Sequence, residues 1–456
     1  MVELEAKEYE KIKCSNDYVK FEPFEGNIKR LKEIAGFKTD LELNTEDGTV
    51  LGLHIEVNDD GDLELKVSHF VGVVHIAKTS EDELILRVSP KFDKLCPIKM
   101  LIETLSHPIV SKYIKFGKTY EIMTDKEPIR LSSTSSEYVL FLILHYFKVL
   151  YDLIKRGLQK GYVKAEENFR GRVKGKILVG RNVRENLPKA KFHHIFCSFN
   201  QYTEDTLENR ILKAAFLKGK DYIRRLSNNL IDENVKHRIG VISLSFERVS
   251  TVRIYPTDFR LITIQKIRQD YKLAIELAKK ILKILGYDPN SSLEKDLKEI
   301  YPYWIDMNEL FERYCEVRLR EGEIEELKGY KVFPGYEDKN ISTEAGGLRP
   351  DFILVKGNEY VIVDAKYKPI YDGEENKGDK KGDLQQLSLY GRIKAEILEN
   401  HIRNNFGEEV KLKEREAKLY ILYPTNKSNT KPKELNPFIN IYKIGVNLPK
   451  SLTLSR

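Results

Sequence analysis

The sequence predicts an α+β protein of several domains, arranged as three successive regions. Residues 1–130 predict a β-rich domain, residues 131–290 a mainly helical region, and residues 291–456 an α/β domain. Short runs rich in β-branched residues dominate the first region, and apolar residues recur at helical spacing in the second. The third region follows the clearest linker, residues 286–292, and contains two neighbouring apolar strands that carry acidic residues.

Composition limits the class of protein. The chain has 456 residues, a formal net charge of +7 and 32% charged residues, a mildly basic balance that is compatible with nucleic-acid binding. Its cysteines are far apart without a C-x-x-C pair, so we expect neither a zinc site nor a disulfide framework, and a reducing cytoplasm fits. Lys, Glu and Arg are abundant and Cys, Met and Gln scarce, which is typical of thermophiles. The cysteines are Cys14, Cys96, Cys197 and Cys315.

No segment predicts export or membrane insertion. Residues 1–10 are charged throughout, unlike a signal peptide. The most apolar run, residues 139–154, contains His145, Lys148 and Asp152, so it predicts a buried helix rather than a membrane span. We therefore expect a cytoplasmic protein with no membrane partner.

The first region predicts a compact β structure. Apolar and polar residues alternate in several short runs separated by turn-forming residues, a spacing typical of a small barrel or sandwich. The region contains no group of catalytic side chains, so we interpret it as a binding module for a partner. The predicted strands span residues 50–57, 63–67, 70–76 and 83–88.

The middle region predicts helices and one basic stretch. One helix is expected after residues 135–137 and extends to about Lys160, a second begins at Glu204, and a third covers roughly residues 263–285. Residues 155–191 contain twelve Lys and Arg against three Glu, with aromatic residues interleaved. Such a stretch can follow a phosphate backbone or form an ordinary solvated surface, and both interpretations stay open.

The third region predicts a β-hairpin. Residues 348–355 and 360–368 are short apolar runs, and residues 356–359 between them form a turn signal. In an antiparallel hairpin around this turn, Val355 faces Tyr360, and the same register continues toward the acidic residues at the far end.

Two acids and a lysine are predicted to converge at that far end. The register places Asp351 opposite Asp364, and like charges at directly opposed positions destabilise a sheet unless a cation compensates. Lys366 lies on the same face as Asp364, because strand side chains alternate. Mg²⁺ is commonly held by one or two carboxylates, and a nearby lysine can stabilise charge on a phosphate. The ordinary alternative is a surface salt bridge between Asp364 and Lys366 or Lys368.

These residues resemble a known nuclease motif. Pro350-Asp351 followed by Asp364-Ala365-Lys366 is similar to the PD-(D/E)XK motif of restriction-endonuclease-like domains. The resemblance implies that Asp351 and Asp364 bind Mg²⁺, for which Mn²⁺ can substitute. It also implies that Lys366 positions the attacking water or stabilises the developing charge.

Flanking elements extend this resemblance. Glu312 lies in a predicted helix over residues 304–323 and is similar to the first-helix acidic residue of these nucleases, which implies a further metal ligand. Gln386 and Tyr390 are spaced i and i+4 on another predicted helix and match the Q-x-x-x-Y motif of the RecB-like branch. Their implied role is to shape the site or contact the DNA backbone. An exposed helix carboxylate and a solvated glutamine are the alternatives.

Longer segments resemble a more specific family. Residues 70–92, 166–177 and 199–214 are similar to McrC, the nuclease subunit of McrBC-type modification-dependent restriction systems. The resemblance implies docking on a hexameric McrB-like AAA+ GTPase, stimulation of its GTP hydrolysis, and cleavage of double-stranded DNA carrying modified bases. Breaking both strands needs two sites, so complexes are expected to pair. The chain has no G-x-x-x-x-G-K-[ST] motif of its own, which agrees with this division of roles.

Two other functions stay open. The chain could be a RecB-like nuclease of another DNA-processing system, although its scattered cysteines disfavour branches with an iron–sulfur cluster. It could also be a catalytically inactive assembly subunit that regulates a motor. The presence of Asp351, Asp364 and Lys366 together favours an active enzyme over that second alternative.

Overall fold

The structure is a computed structural model, and it divides the chain into two compact units. One unit, which we call the split unit, comprises Met1–Arg130 and Ile300–Arg456, and the other, the middle unit, comprises Leu131–Glu299. The described residues are 2–9, 11–14, 53–57, 63–78, 83–93, 95–115, 117–123, 128–130, 136–225, 233–262, 268–287, 299–335, 341–343, 346–372, 380–414, 416–427, 431–436 and 440–449.

Strands and helices are both abundant, which confirms the predicted α+β class. The strands are β1 (Val2–Lys7), β2 (Lys11–Cys14), β3 (Leu53–Val57), β4 (Leu63–Val67), β5 (Phe70–Lys78), β6 (Glu83–Ser89), β7 (Tyr120–Ile122), β8 (Ile129–Arg130), β9 (Gly161–Arg170), β10 (Lys176–Ile177), β11 (His194–Thr203), β12 (Glu299–Ile300), β13 (Tyr303–Asp306), β14 (Lys331–Pro334), β15 (Ile341–Thr343), β16 (Gly346–Leu348), β17 (Phe352–Lys356), β18 (Glu359–Ala365), β19 (Lys418–Thr425), β20 (Lys433–Asn436) and β21 (Ile441–Asn447). The α-helices are α1 (Pro97–Ser106), α2 (Ser136–Lys155), α3 (Val179–Glu185), α4 (Leu207–Arg225), α5 (Glu233–Ser245), α6 (Gln269–Leu285), α7 (Met307–Arg320), α8 (Lys380–Tyr390) and α9 (Ala395–Phe406).

The N-terminal strands β1, β5 and β6 do not form a sheet by themselves. In the described chain they join a five-stranded mixed sheet with the order β1-β6-β5-β13-β7, in which β13 pairs with β5 on one side and β7 on the other. Gly72 on β5 permits this pairing, because a Cβ atom there would lie 2.0 Å from the carbonyl oxygen of Tyr303. The sheet therefore differs from the predicted N-terminal barrel or sandwich. A separate three-stranded antiparallel sheet has the order β2-β4-β3, and the predicted residues 50–52 lie outside the described residues.

The strand β13 also explains why residues 1–130 and 300–456 belong to one unit. The sequence predicts three successive domains, whereas the structure combines the first and third regions because the chain returns to the N-terminal sheet immediately after residue 300. The predicted boundaries at 130 and 290 lie at or near the ends of the middle unit. The separate roles given to the three regions stay predictions.

Helix α7 starts later than predicted. The sequence predicts a helix over residues 304–323, but Trp304 lies in β13 and the helix begins at Met307. Asp306 decides this boundary, because its side chain accepts hydrogen bonds from the backbone N–H groups of Asn308 and Glu309 at 2.9 and 3.0 Å. Glu312 lies in α7 as predicted.

The described C-terminal strands form a six-stranded sheet with the order β14-β17-β18-β19-β21-β20. β17 and β18 are antiparallel with the predicted register, in which Val355 pairs with Tyr360. Gly357 occupies the two-residue turn with a φ of 62°, a conformation that favours glycine. β18 is parallel to β19 on its other edge and is buried along most of its length, as expected of a central strand.

The middle unit is mainly helical, as predicted, but part of its basic stretch lies on an unpredicted sheet. β9 and β11 form ten antiparallel pairs, and β10 pairs with β11. Tyr162 and Tyr202 are exposed on this sheet with ring centroids 5.1 Å apart, and the Arg172 guanidinium lies 4.5 Å from the ring centroid of Phe169. Whether this surface follows DNA or is only solvated stays open.

Helix α2 is the buried helix that the apolar run predicts. Most of its described side chains are buried. The helix ends at Lys155 rather than near Lys160, because Gly157 adopts a left-handed φ of 84° and its N–H donates to the carbonyl oxygen of Ile154. Among the described helices, none has the length and apolarity required to cross a bilayer.

A buried histidine in α2 predicts acid sensitivity. His145 is 1% exposed, and burial, reinforced by Lys148, lowers its pKa to about 3. In the unfolded chain, His145 binds a proton as the pH falls through about 6.5, whereas in the folded chain it stays neutral until the pH approaches 3. The free energy of unfolding therefore decreases as the pH drops from 6.5 toward 3. Between pH 7.5 and 5.0 we expect His145 to account for a loss of about 2 kcal/mol in the free energy of unfolding.

Urea titrations at both pH values check this expectation by comparing the chain with His145→Leu. Other titrating groups contribute to both proteins, so the difference between their pH dependences isolates His145. The variant should lose less stability on acidification, whatever its stability at pH 7.5. Parallel pH dependences would contradict the assignment.

Candidate active site

The predicted acids meet where β17 begins and β18 ends. Backbone pairing stops at Phe352 and Val363, one residue short of a direct Asp351–Asp364 pair. Asp351 instead accepts a hydrogen bond through Oδ2 from the backbone N–H of Ala365 at 2.7 Å. This bond joins the two strand ends and places the Asp351 carboxylate beside Asp364.

A glycine on the neighbouring strand supports this arrangement. The N–H of Gly335, directly after β14, donates to the carbonyl oxygen of Asp351 at 2.8 Å. A Cβ atom at Gly335 would lie 2.1 Å from the carbonyl oxygen of Pro350, so a larger residue could not approach this closely. Sequence reasoning missed Gly335, because a lone glycine carries no signal of a tertiary contact.

Asp364 is a buried carboxylate that faces both a lysine and a second acid. Its side chain is 1% exposed, and its Oδ2 lies 2.8 Å from the Lys366 ammonium in an ion pair. Burial and the neighbouring Asp351 raise the pKa of Asp364 to about 8. Burying one acid beside another is unfavourable, and a bound divalent cation would relieve the repulsion between them.

Glu312 and Asp351 add to the concentration of acidic groups. Burial, and then the charge of Glu312, raises the pKa of Asp351 to about 7. The pKa of Glu312 is also raised to about 7 by burial, against the opposing charge of Arg313, which donates to it at 2.8 Å. Because these groups contribute oxygen only, they suit a hard divalent cation such as Mg²⁺.

The described carboxylates do not enclose a metal by themselves. No group of three or more His, Cys, Asp and Glu side chains among the described residues is placed to hold an ion. Two carboxylates suffice for Mg²⁺, which usually retains several waters. The role of Glu312 as an additional ligand stays a prediction, and the structure places it as a near neighbour of the two aspartates.

Lys366 is held at the site by a chain of hydrogen bonds. It donates to Oε1 of Gln386 at 2.9 Å, and Gln386 donates through Nε2 to the Tyr390 hydroxyl at 2.6 Å. Tyr390 donates in turn to the carbonyl oxygen of Arg349 at 2.9 Å. Burial disfavours the charged lysine, but the charge of Asp364 and its acidic neighbours outweighs this and raises the pKa of Lys366. Gln386 and Tyr390 therefore share one helix face, as their spacing predicts, and that face points at the ends of β17 and β18.

A second buried pair was not found from the sequence. Asp383 on α8 accepts hydrogen bonds from Nζ of Lys368 at 2.7 and 2.9 Å and from the Tyr371 hydroxyl at 2.7 Å. Lys368 thus pairs with Asp383 and not with Asp364. The only sequence signal is that Asp383 lies three residues before Gln386, on the same helix face. These bonds tie α8 to the segment that follows β18.

The residues that the sequence predicts for the site line one cavity of about 1280 Å³. Its wall includes the three predicted central residues, Asp351, Asp364 and Lys366, together with Glu312, Gln386 and Tyr390. Residues from the N-terminal region, among them Lys91, also line it. All of these residues belong to the split unit. The cavity therefore brings together every side chain that the sequence predicts for the site.

Comparison with known protein families decides the assignment. The profile of the McrBC 5-methylcytosine restriction system component matches residues 65–400, which is most of the chain. The chain belongs to this McrBC family. The match spans both the split and middle units and confirms the resemblance found in the sequence motifs.

Two solved structures are similar to this McrBC-family chain. A half-complex refined from a tetradecameric assembly of Thermococcus gammatolerans McrB AAA+ hexamers with bound McrC is 19% identical, with a TM-score of 0.39, and the match covers 98% of this chain and 94% of that one. The cryo-EM structure of the Thermococcus gammatolerans McrBC complex is 18% identical, with a TM-score of 0.29 and coverage of 71% and 88%. No curated protein sequence matches. The assignment rests on the family profile.

Proposed function

We propose that this chain is the DNA-cleaving subunit of a modification-dependent restriction complex, with Mg²⁺ as its cofactor. The observation that carries the proposal is the meeting of the Asp351 carboxylate with the buried Asp364 carboxylate, beside Lys366 on the wall of a large cavity. A buried pair of acids is unfavourable in an empty site and favourable around a divalent cation. The predicted PD-(D/E)XK motif supplies these three residues.

Asp351 and Asp364 would hold the ion. When bound, Mg²⁺ polarises the scissile phosphate and lowers the pKa of a bound water. The Asp351 carboxylate is oriented by the N–H of Ala365, which leaves its other oxygen available to a ligand. Glu312 would help to bind the ion, either directly or through a bound water. Mn²⁺, with similar oxygen preference, is expected to substitute.

Lys366 would stabilise negative charge that develops on the phosphate. Its ammonium faces Asp364 and is anchored by Gln386, so it is oriented before the substrate arrives. Such preorganised donors stabilise a transition state without further reorganisation. Gln386 and Tyr390 would be positioning residues, because their hydrogen bonds lead from Lys366 to the backbone of Arg349.

Family membership supports the rest of the assignment. A component of a 5-methylcytosine restriction system is expected to act on double-stranded DNA carrying modified bases. We propose that a hexameric McrB-like AAA+ GTPase recognises the modified site and that this chain docks on it and stimulates GTP hydrolysis. Cutting both strands would require two copies of the site, so whole complexes are expected to pair.

A plasmid-cleavage assay tests the proposal. Supercoiled plasmid with and without 5-methylcytosine is incubated in Mg²⁺ with the full chain, alone and together with an McrB-like AAA+ GTPase from the same source, with and without GTP. We expect linear product from the methylated plasmid when chain, GTPase and GTP are all present, and none when EDTA replaces Mg²⁺.

Other outcomes distinguish the alternatives. Degradation from DNA ends without the GTPase would indicate a RecB-like nuclease of another system. Stimulated GTP hydrolysis with intact plasmid under every condition would indicate an inactive assembly subunit. Either result overturns the proposed function.

A further inference from the structure

Lys91, just after β6, lies on the wall of the cavity that contains Asp364, although it is far from the nuclease motif in sequence. Its Nζ lies 4.5 Å from the ring centroid of Tyr9 and 4.1 Å from that of Tyr367. Tyr367 directly follows Lys366. The two rings therefore hold the lysine beside the end of the strand that carries the predicted catalytic residues.

The ammonium of Lys91 has no acceptor within the described part of the chain. Its contacts there are ring faces, and no hydrogen bond or ion pair involves Nζ. The other lysines that line the cavity are paired: Lys7 with Asp93 at 3.1 Å, Lys366 with Asp364, and Lys368 with Asp383. Burial lowers the pKa of Lys91 to about 8, and the charge of the nearby Glu8 carboxylate partly opposes this. An ammonium has three donors, so Lys91 can still donate hydrogen bonds to an anionic ligand.

A buried glutamate fixes the backbone around Lys91. Glu8 is 4% exposed, and its Oε2 accepts hydrogen bonds from the backbone N–H of Lys91 and from the Tyr367 hydroxyl, each at 3.0 Å. Its other oxygen, Oε1, is buried without a hydrogen-bond partner among the described residues. Glu8 thus connects the N-terminal segment to the end of β18 and lies close enough to Lys91 for the two charges to attract each other.

The backbone at Tyr9, the residue after Glu8, adopts an uncommon conformation. Tyr9 has a φ of 61°, a left-handed conformation that is uncommon for a bulky residue. The conformation is retained while the Tyr9 ring contacts Lys91 and its hydroxyl accepts a hydrogen bond from Asn308 at 3.4 Å. Strain of this kind persists where surrounding contacts hold it and is concentrated at functional sites.

We propose that Lys91 binds a phosphate oxygen of the DNA strand held in this cavity, and that Glu8 and the two tyrosines position it for that contact. The inference rests on the proposed nuclease function and names a part of the substrate that the site would hold. Asp364 and Lys366 would act on the scissile phosphate. Lys91, on another part of the cavity wall, would bind a nearby phosphate of the same DNA strand. Lys91 is thus a substrate-binding residue supplied by the N-terminal region.

The test compares Lys91→Met and Lys91→Arg in the full chain, alone or with its GTPase partner, whichever form cuts plasmid DNA. Methionine fills the space between the rings and removes the donors, whereas arginine retains the charge. Lys331→Met is the matched control, because Lys331 lies in the same unit, pairs with Glu408, and is absent from the cavity wall. A fluorescent 5-methylcytosine duplex reports binding in Ca²⁺, and plasmid cleavage in Mg²⁺ reports the rate.

We expect Lys91→Met to weaken DNA binding about tenfold, raise KM similarly, and change kcat by less than about threefold. The slope of log affinity against log salt should decrease in magnitude by about 1, because one phosphate contact is lost. Lys91→Arg should retain most of the affinity, and Lys331→Met should match the unchanged chain. Adding Glu8→Gln to Lys91→Met should cause no further loss, since Glu8 acts through Lys91.

Several results would overturn this inference. If Lys91→Met leaves the DNA affinity and its salt slope unchanged while the wild-type chain cleaves plasmid, Lys91 does not contact DNA. The nuclease proposal would then still stand. A decrease in kcat at unchanged affinity would place Lys91 in the chemical step. Loss of GTP binding rather than DNA binding would identify a nucleotide as the source of the phosphate. Absence of cleavage by the wild-type chain with its partner counts instead against the proposed function.

Discussion

Asp364→Asn is expected to lower Mg²⁺-dependent DNA cleavage by about a thousandfold or more. Residues that merely support a metal ligand typically contribute about 10–100-fold, so removal of a ligand should cost more. Asparagine keeps the size of the side chain but lacks the charge that an ion requires. The initial rate of plasmid cleavage in the presence of the GTPase measures the effect, and isothermal titration with Mn²⁺ should show the loss of metal binding.

The variant should remain folded and should still stimulate GTP hydrolysis. In EDTA at pH 8 its unfolding temperature is expected to be at least as high as that of the unchanged chain, because one of two adjacent buried acids has become neutral. Asp372→Asn is a suitable control: Asp372 pairs with Lys427 at 3.1 Å, does not line the cavity, and should leave cleavage within about twofold. Loss of both activities in a folded Asp364→Asn protein would contradict the separation of roles.

Lys366→Met is expected to lower cleavage by about 100- to 1,000-fold while metal binding survives. Removal of one preorganised donor that stabilises transition-state charge typically has this effect. The lysine opposes a cation electrostatically, so its loss should leave Mn²⁺ affinity unchanged or higher. The predicted signature is therefore a decrease in kcat without a decrease in metal affinity, opposite to the behaviour of Asp364→Asn.

The exposed Lys427 offers a matched control for this variant. Lys427→Met removes a lysine from the same unit, outside the cavity wall, and should not change the rate. If Lys366→Met loses metal binding as completely as Asp364→Asn does, then Lys366 acts by supporting the carboxylates and not by stabilising charge on the phosphate.

Local patterns predicted the central part of the site. The hairpin register followed from alternation and turn chemistry, since its strands are joined by two residues. The spacing of Gln386 and Tyr390 correctly placed them on one helix face, although the residue that Gln386 binds, Lys366, lies 20 positions away. The same methods placed the start of α7 at Trp304, because its apolar character fits a helix as well as a strand.

Long-range contacts were invisible to such patterns. Periodicity in the middle region predicted helices but missed the β9–β11 pairing. The residues of β9 alternate mostly between half-buried and exposed positions, so the strand lacks a fully buried apolar face. Asp383 looked like an ordinary acidic residue in a helix. Its importance depends on Lys368 and Tyr371, which reach it only in the folded chain.

The sequence by itself determined the McrBC family, the α+β class, and the hairpin that carries Asp351, Asp364 and Lys366, because each depends on residue types at short and regular separations. Only the tertiary structure decided that Glu8 and Lys91 belong to the same cavity. Glu8 and Tyr367 form a hydrogen bond across 359 positions of the chain, and no local periodicity encodes a contact of that length. The physical reason is that β13 returns the chain to the N-terminal sheet, which brings the ends of β1, β6 and β18 together around one site.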